Sequence, residues 1–241
     1  MKAIYNNIVH SISNREKLLA VLIDPDKMKL ENLSGFMLKL NQSVATHIFV
    51  GGSTVDDVAT EKLVIEIKKH TSLPIVLFPG DVTQITNEAD VLLFLSLISG
   101  TNPEYLINKH IKAVSKLRSS DLEVISTGYI LIENGKQTSV EKVTKTKPLS
   151  RQNAQQIIDT AKAGEFLGMQ FIYLEAGSGA LHPVPTEIIN LVKHELNIPL
   201  IVGGGIRSKK QLEEAYRSGA DLVVIGTAFE DDDSFFDELK K

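Results

Sequence analysis

Cysteine is absent from the 241 residues, which removes disulfides, thiolate metal sites and cysteine nucleophiles from consideration. No apolar run approaches the roughly 20 residues that a membrane-spanning helix needs; the most apolar stretch covers only residues 91–98. Residues 1–17 lack the apolar core of a signal peptide. Neither sign of charge dominates, since 26 Lys and Arg stand against 30 Asp and Glu, and the resulting net charge of −4 argues against nucleic acid as the partner. No segment is low-complexity or charged enough to indicate a disordered tail. These absences predict a soluble, cytoplasmic protein, still free to take a lipid substrate through transient contact with a membrane surface.

What is present is apolar and periodic. Hydrophobic residues make up 43% of the chain and charged ones 23%, enough for a large core. The length suits one (β/α)8 barrel of roughly 250 residues better than two average domains, so residues 1–241 are read as a single domain. Short β-rich runs recur at Leu18–Ile23, His47–Val50, 74–78, Val91–Leu97, 122–126, 171–174, 199–202 and Leu222–Ile225. Most are continuously apolar, as parallel strands covered on both faces are. Between them lie helical patterns with start and stop signals. Asn102-Pro103 precedes Leu106, Ile107, Ile111, Val114 and Leu117, while Ser208 with Gln211 forms a capping box that Gly219 closes. Eight such units predict a closed TIM barrel, with an open doubly wound sheet as the alternative.

Two connections break the rhythm. Between residues 78 and 91 only about a dozen residues remain, including Pro79, Gly80 and Asp81, too few for a full third helix. Residues 127–149 form a long polar segment containing Asn134-Gly135. It is read as a lid over the C-terminal face, with a functionless surface hairpin as the alternative.

Active sites of such barrels sit where the strands end at their C-terminal side. After the seventh run comes Gly203-Gly204-Gly205-Ile206-Arg207-Ser208, and after the eighth Gly226-Thr227. Glycines let backbone N–H groups close on a phosphate, and a following helix N-terminus adds positive partial charge. The sixth run ends in Tyr173-Leu174-Glu175-Ala176-Gly177-Ser178-Gly179. Alternation puts Tyr173 and Glu175 on one face and Leu174 on the other, so Glu175 stands at the rim, within reach of a ligand hydroxyl. Asp24, in Asp24-Pro25-Asp26-Lys27, ends the first run facing the mouth, where it either binds Mg²⁺ or caps an Asx-Pro turn. Gly51-Gly52-Ser53-Thr54 lies next door. Asp26 and Lys27 are read as structural. Weaker candidates for shaping the cavity are Pro79, Gly80, Asp81, Ser96, Ser99, Gly100 and Asn102, and the apolar residues around the fourth run either line a hydrocarbon groove or are ordinary core.

Other chemistries have no foothold. The six histidines show no metal-ligand spacing, and His182 is read as a bystander. There is no G-x-S-x-G elbow, P-loop or dinucleotide fingerprint. Asp231-Asp232-Asp233 lacks the D-D-x-x-D spacing of all-helical prenyl-transfer enzymes and is read as a solvated turn.

The segments Ile23-Asp24-Pro25-Asp26-Lys27, Phe49-Val50-Gly51-Gly52-Ser53, Leu77-Phe78-Pro79-Gly80, Tyr173-Leu174-Glu175-Ala176-Gly177-Ser178-Gly179 and Gly203-Gly204-Gly205-Ile206-Arg207 resemble the geranylgeranylglyceryl phosphate synthase family, whose bacterial relatives include heptaprenylglyceryl phosphate synthase. The likeness runs through nearly the whole chain. It implies a barrel lacking its third helix and a Mg²⁺-assisted transfer of a geranylgeranyl or similar group from a polyprenyl diphosphate to the 3-hydroxyl of sn-glycerol 1-phosphate. By the same resemblance Asp24 and Ser53 hold the metal. Tyr173, Leu174, Glu175, Ala176, Gly177, Ser178, Gly179, Gly204, Gly205, Gly226 and Thr227 hold glycerol phosphate, and Glu175 accepts the hydroxyl proton. One branch of the family carries lysine where this chain has Leu22. The chain is placed instead in the branch with the longer strand-five loop. A homo-oligomer is implied as well. The rivals are a phosphorylated-sugar isomerase or lyase and a non-catalytic phosphometabolite-binding protein.

Overall fold

The apolar runs pair in sequence order. A computed structural model describes residues 3–52 and 59–241. Its strands are β1 (Leu18–Ile23), β2 (His47–Val50), β3 (Ile75–Leu77), β4 (Val91–Leu97), β5 (Glu123–Leu131), β6 (Phe171–Glu175), β7 (Leu200–Gly203) and β8 (Leu222–Ile225), all parallel and closed into a barrel. Closure is made by β1 and β8, where Leu18 pairs with Leu222 and Val21 with Ile225. The doubly wound alternative is thereby excluded.

Side-chain alternation divides the core in two. Ala20, Phe49, Val76, Leu93, Tyr173 and Val224 fill the barrel interior. Leu19, Val21, Ile48, Leu174, Val202 and Val223 face outward into the helix layer. That layer is built by α1 (Ala3–Ser13), α2 (Leu30–Gln42), α3 (Ala59–Lys68), α4 (Lys109–Leu117), α5 (Ser139–Thr144), α6 (Ala154–Phe166), α7 (Thr186–Glu195), α8 (Lys209–Arg217), α9 (Thr227–Asp231) and α10 (Phe235–Glu238). Helix α1 closes the N-terminal end of the barrel. The N–H groups of Ile4 and Tyr5 donate to the Glu123 carboxylate at 2.7 and 2.9 Å, and the Tyr5 ring lies 5.3 Å from that of Phe171.

The connection between β3 and β4 contains a single 3-10 turn, Val82–Gln84, which Asp81 caps by accepting from the Thr83 N–H at 3.3 Å. Among the described residues this connection contributes no α-helix to the barrel wall. Lys109 of α4 leans across it, donating to the Gly80 carbonyl at 2.7 Å and pairing with Asp81 at 2.6 Å.

Two expectations need correction. Residues 127–131 belong to β5, whose ladder continues from Thr127↔Phe171 to Leu131↔Glu175. The segment beyond is not a hairpin. It forms α5, then returns to make a parallel bridge between Ile132 and Leu149. Ile107, Ile111 and Val114 were expected on the apolar face of their helix, yet they are exposed. A π-helical turn, Glu104–Asn108, opens that helix, and its wider turn shifts the phase of the residues that follow. Ser208 accepts from the Gln211 N–H at 3.3 Å as expected, and Gly219 closes α8 with φ of 109°.

Candidate active site

The ends of β6, β7 and β8 converge on one cavity of roughly 240 Å³, lined by Tyr173, Glu175, Gly177, Ser178, Gly179, Gly204, Gly205, Gly226 and Thr227. Glu175 is its chemical centre. The residue is only 6% exposed, and its Oε1 accepts the Gly177 N–H at 2.6 Å. Burial pushes its carboxyl up to about 7, against the lowering influence of the Tyr173 hydroxyl and the Gly177 N–H. The Tyr173 hydroxyl is itself fully buried and lies close to the carboxylate. Burial also raises the phenol of Tyr173 well above its ordinary value.

The glycines are required by proximity. A Cβ on Gly203 would collide with the Tyr173 hydroxyl and stand 2.7 Å from Oε2 of Glu175. Gly204 has φ of +83°, and a Cβ there would strike Oε1 of Glu175 and lie 2.6 Å from the Gly177 nitrogen. The turn after β7 thus presses directly on the carboxylate. On the far side Thr227 accepts the Gly179 N–H at 3.2 Å and lies 3.3 Å from the Ser178 hydroxyl, joining the β6 and β8 turns. Of the expected ligands, Leu174 and Ala176 turn their side chains away, into the helix layer, as alternation requires.

Asp24 stands across the cavity, half-buried, with its carboxyl raised by burial against the Asp26 N–H and Lys27. Its Oδ1 accepts that N–H at 3.1 Å, so the Asx turn and an open face toward the mouth coexist. A Cβ on the neighbouring Gly52 would lie 2.9 Å from Oδ1, so only glycine fits against this carboxylate, which lines the cavity with Lys27 3.8 Å from its Oδ2. Lys27 pairs with Glu230 at 2.7 Å. Ser53, the other expected metal ligand, lies outside the described residues, as does Thr54.

A second, apolar cavity of about 120 Å³ opens beside the first, in the wall left uncovered between β3 and β4. Leu93, Leu95, Tyr105, His110, Ala113 and Val143 line it, together with Pro79, Gly80 and Asp81. Gly52, Phe78, Tyr129 and Val140 border both cavities. The remaining candidates are structural. Ser96 donates to the Leu106 carbonyl at 2.9 Å, Ser99 accepts the Leu131 N–H at 3.0 Å, and Asn102 donates to the Thr144 carbonyl at 2.8 Å. Gly100 packs against Thr146, and exposed His182 sits beside Gly135.

Sequence reasoning missed the contribution of the strand-five loop. Asn134 donates to the Ala176 carbonyl at 2.5 Å, Thr138 packs against Gly177, and Ser139 and Val140 line the polar cavity. The Asn134-Gly135 turn marked a bend, but no local pattern says what it docks on.

Comparison with known proteins bears on the family and the fold. A family model described as the PcrB family matches residues 11–241. The geranylgeranylglyceryl phosphate synthase of Flavobacterium johnsoniae is 54% identical over 237 residues, covering 98% of each chain. The protein of that name from Thermococcus kodakarensis is 40% identical over 224 residues, covering 92% of this chain and 88% of its own. The crystal structure of (S)-3-O-geranylgeranylglyceryl phosphate synthase from Thermoplasma acidophilum, in complex with its substrate sn-glycerol-1-phosphate, superposes with a TM-score of 0.91 at 30% identity, covering 98% of this chain and 94% of that one. This chain therefore belongs to the PcrB family, alongside these geranylgeranylglyceryl phosphate synthases.

Proposed function

We propose that the chain transfers a geranylgeranyl or similar polyprenyl group from its diphosphate to the 3-hydroxyl of sn-glycerol 1-phosphate. The observation that carries this reading is the position of Glu175. It is a buried carboxylate tuned to about 7 that touches the glycine turns of a phosphate-sized cavity, and that cavity opens into an apolar groove.

Each part has a task. Backbone N–H groups and hydroxyls of the β6, β7 and β8 turns grip the glycerol phosphate, and such fixed orientation supplies several kcal/mol toward reaction. Glu175 takes the proton of the 3-hydroxyl as that oxygen bonds to the allylic carbon. The carbon–oxygen bond to diphosphate breaks in the same process, and its electron pair leaves with diphosphate. A general base placed in this way contributes about 10²–10⁴-fold. The apolar groove holds the prenyl tail, and α5 acts as the lid that keeps water from the allylic carbon.

The residues present fit Mg²⁺. Among the described residues no cluster of three His, Cys, Asp or Glu forms a closed cage, and Asp24 offers one hard oxygen donor on the cavity lining. Mg²⁺ commonly uses one or two carboxylates plus phosphate oxygens and water. Asp24 would hold the ion, the family resemblance gives Ser53 the same role, and the ion would supply charge stabilisation to the departing diphosphate.

None of the eight strands carries a lysine, which removes the usual group of a sugar-phosphate lyase. Work in the cytoplasm with transient membrane contact is consistent with the absence, among the described residues, of any helix long and apolar enough to cross a membrane. Phe166 and Leu167, 79% and 76% exposed at the end of α6, are suited to burial in a homo-oligomer. Incubation with radiolabelled sn-glycerol 1-phosphate, geranylgeranyl diphosphate and Mg²⁺ tests the reading. A labelled, solvent-extractable lipid is expected, and label confined to the aqueous phase would refute the proposal.

A further inference from the structure

The polar cavity lacks an uncommitted full positive charge. Its lining carries the carboxylates of Asp24, Asp26, Glu175 and Glu230 against two cations, Lys27 and Arg207. Both cations are engaged, Lys27 with Glu230 at 2.7 Å and Arg207 with Asp231 at 3.0 Å. Strand β1 brings none, because Leu22 packs where a Cβ on Gly226 would stand, at 3.3 Å. Glycine N–H groups offer a phosphate only partial charges.

Lys136, an exposed residue of the strand-five loop, reaches the edge of that lining at Gly179. Its Nζ lies 3.3 Å from the position that a Cβ on Gly179 would take, beside the turn whose N–H is bound to Thr227. Its ammonium has no carboxylate partner among the described residues. The backbone that carries it is fixed on both sides. Before it, the buried Asn134 side chain spans from the Ala176 carbonyl, at 2.5 Å, to the Lys136 N–H, at 3.2 Å. After it, Thr138 packs on Gly177 and caps α5 by accepting the Glu141 N–H at 3.1 Å. A loop tied down in this way loses little further freedom when it engages a ligand.

We infer that Lys136 binds the phosphate of the glycerol phosphate substrate, so that the strand-five loop supplies the full charge that the glycine turns and β1 do not. An ammonium–phosphate pair is a charge-assisted bond, stronger than a neutral one. The inference rests on the function proposed above and names a contact of the same site.

Calorimetric titration of the whole chain with sn-glycerol 1-phosphate tests it, alongside steady-state kinetics. Lys136→Ala is expected to weaken glycerol phosphate binding and raise its KM about tenfold to a hundredfold, the usual range for losing a bond to a charged group. The kcat and the KM for geranylgeranyl diphosphate should stay within about twofold, the split that separates binding from chemistry. Lys136→Arg should recover most of the loss, and Lys147→Ala, an exposed lysine elsewhere in the same segment, should behave as wild type. If wild type binds glycerol phosphate and Lys136→Ala binds it equally, the inference is overturned while the proposed function stands. If Lys136→Ala lowers kcat with affinity unchanged, the role is structural and the inference is again overturned. Failure of wild type to bind glycerol phosphate would overturn both.

Discussion

The N–H of Gly177 donates to Oε1 of Glu175 over 2.6 Å, two residues along the same chain. That bond pins one carboxylate oxygen, while Oε2 turns toward Gly203 and the Tyr173 hydroxyl. The carboxyl is therefore buried but oriented, and its charge is a cost to folding that serves the chemistry.

The cost is measurable. Burial raises the folded carboxyl from 4.5 to about 7, so the folded chain holds this proton more tightly than the unfolded one. Stability from this group is full below about pH 4.5 and declines as pH rises through about 7. At pH 8, Glu175→Gln is therefore expected to be more stable than wild type by about 3 kcal/mol. Thermal unfolding should show a gain of several degrees at pH 8 and none at pH 4.

The same group sets the pH dependence of activity. A base must be deprotonated to act, so kcat/KM should fall about tenfold per unit as pH drops below about 7. Initial rates from pH 5.5 to 8.5 check this, and a flat profile across pH 6–7 would remove Glu175 as the titrating base.

Gly204→Ala separates collision from backbone strain. Its φ of +83° strains any L side chain, and the new methyl would strike Glu175. Gly168 has nearly the same φ, +85°, with open space around it. Both substitutions should cost about 1–3 kcal/mol of stability, read by denaturant unfolding. Gly204→Ala alone should lose glycerol phosphate affinity, by at least about tenfold if one charge-assisted contact is displaced.

Much of this was legible in sequence because it is local. Continuous apolar runs gave the strands, the dozen residues after Phe78 foretold the missing helix, and alternation set Tyr173 and Glu175 together on the inner face. The rest depends on distant partners. Polar Thr127 and the following Gly128 made β5 look finished five residues early, although their backbone groups continue the ladder with β6. Asn134 finds its partner 42 residues away. The apolar groove draws on β4, α4 and α5, none of which is groove-like alone.

Asp24→Asn tests the metal. Product formation is expected to fall at least about a hundredfold, the scale of losing one well-placed electrostatic contact in the transition state, with glycerol phosphate affinity retained. A chelator should abolish wild-type activity and added Mg²⁺ restore it.

Ala113→Phe tests the groove. Ala113 is buried on α4 and lines the apolar cavity, so a larger ring there should raise the KM for geranylgeranyl diphosphate more than that for a shorter prenyl diphosphate. Equal effects on both would place the tail elsewhere. Overpacking itself should cost about 1–3 kcal/mol of stability.

The most direct measurement is the single-turnover rate of ether formation by Glu175→Gln at saturating substrates and pH 8, with glycerol phosphate affinity determined in parallel. A rate about 10²–10⁴-fold below wild type, with the substrate still bound, is the expected result. Near-wild-type turnover by that variant would contradict the assignment of Glu175 as the proton acceptor, and with it the mechanism built on that residue.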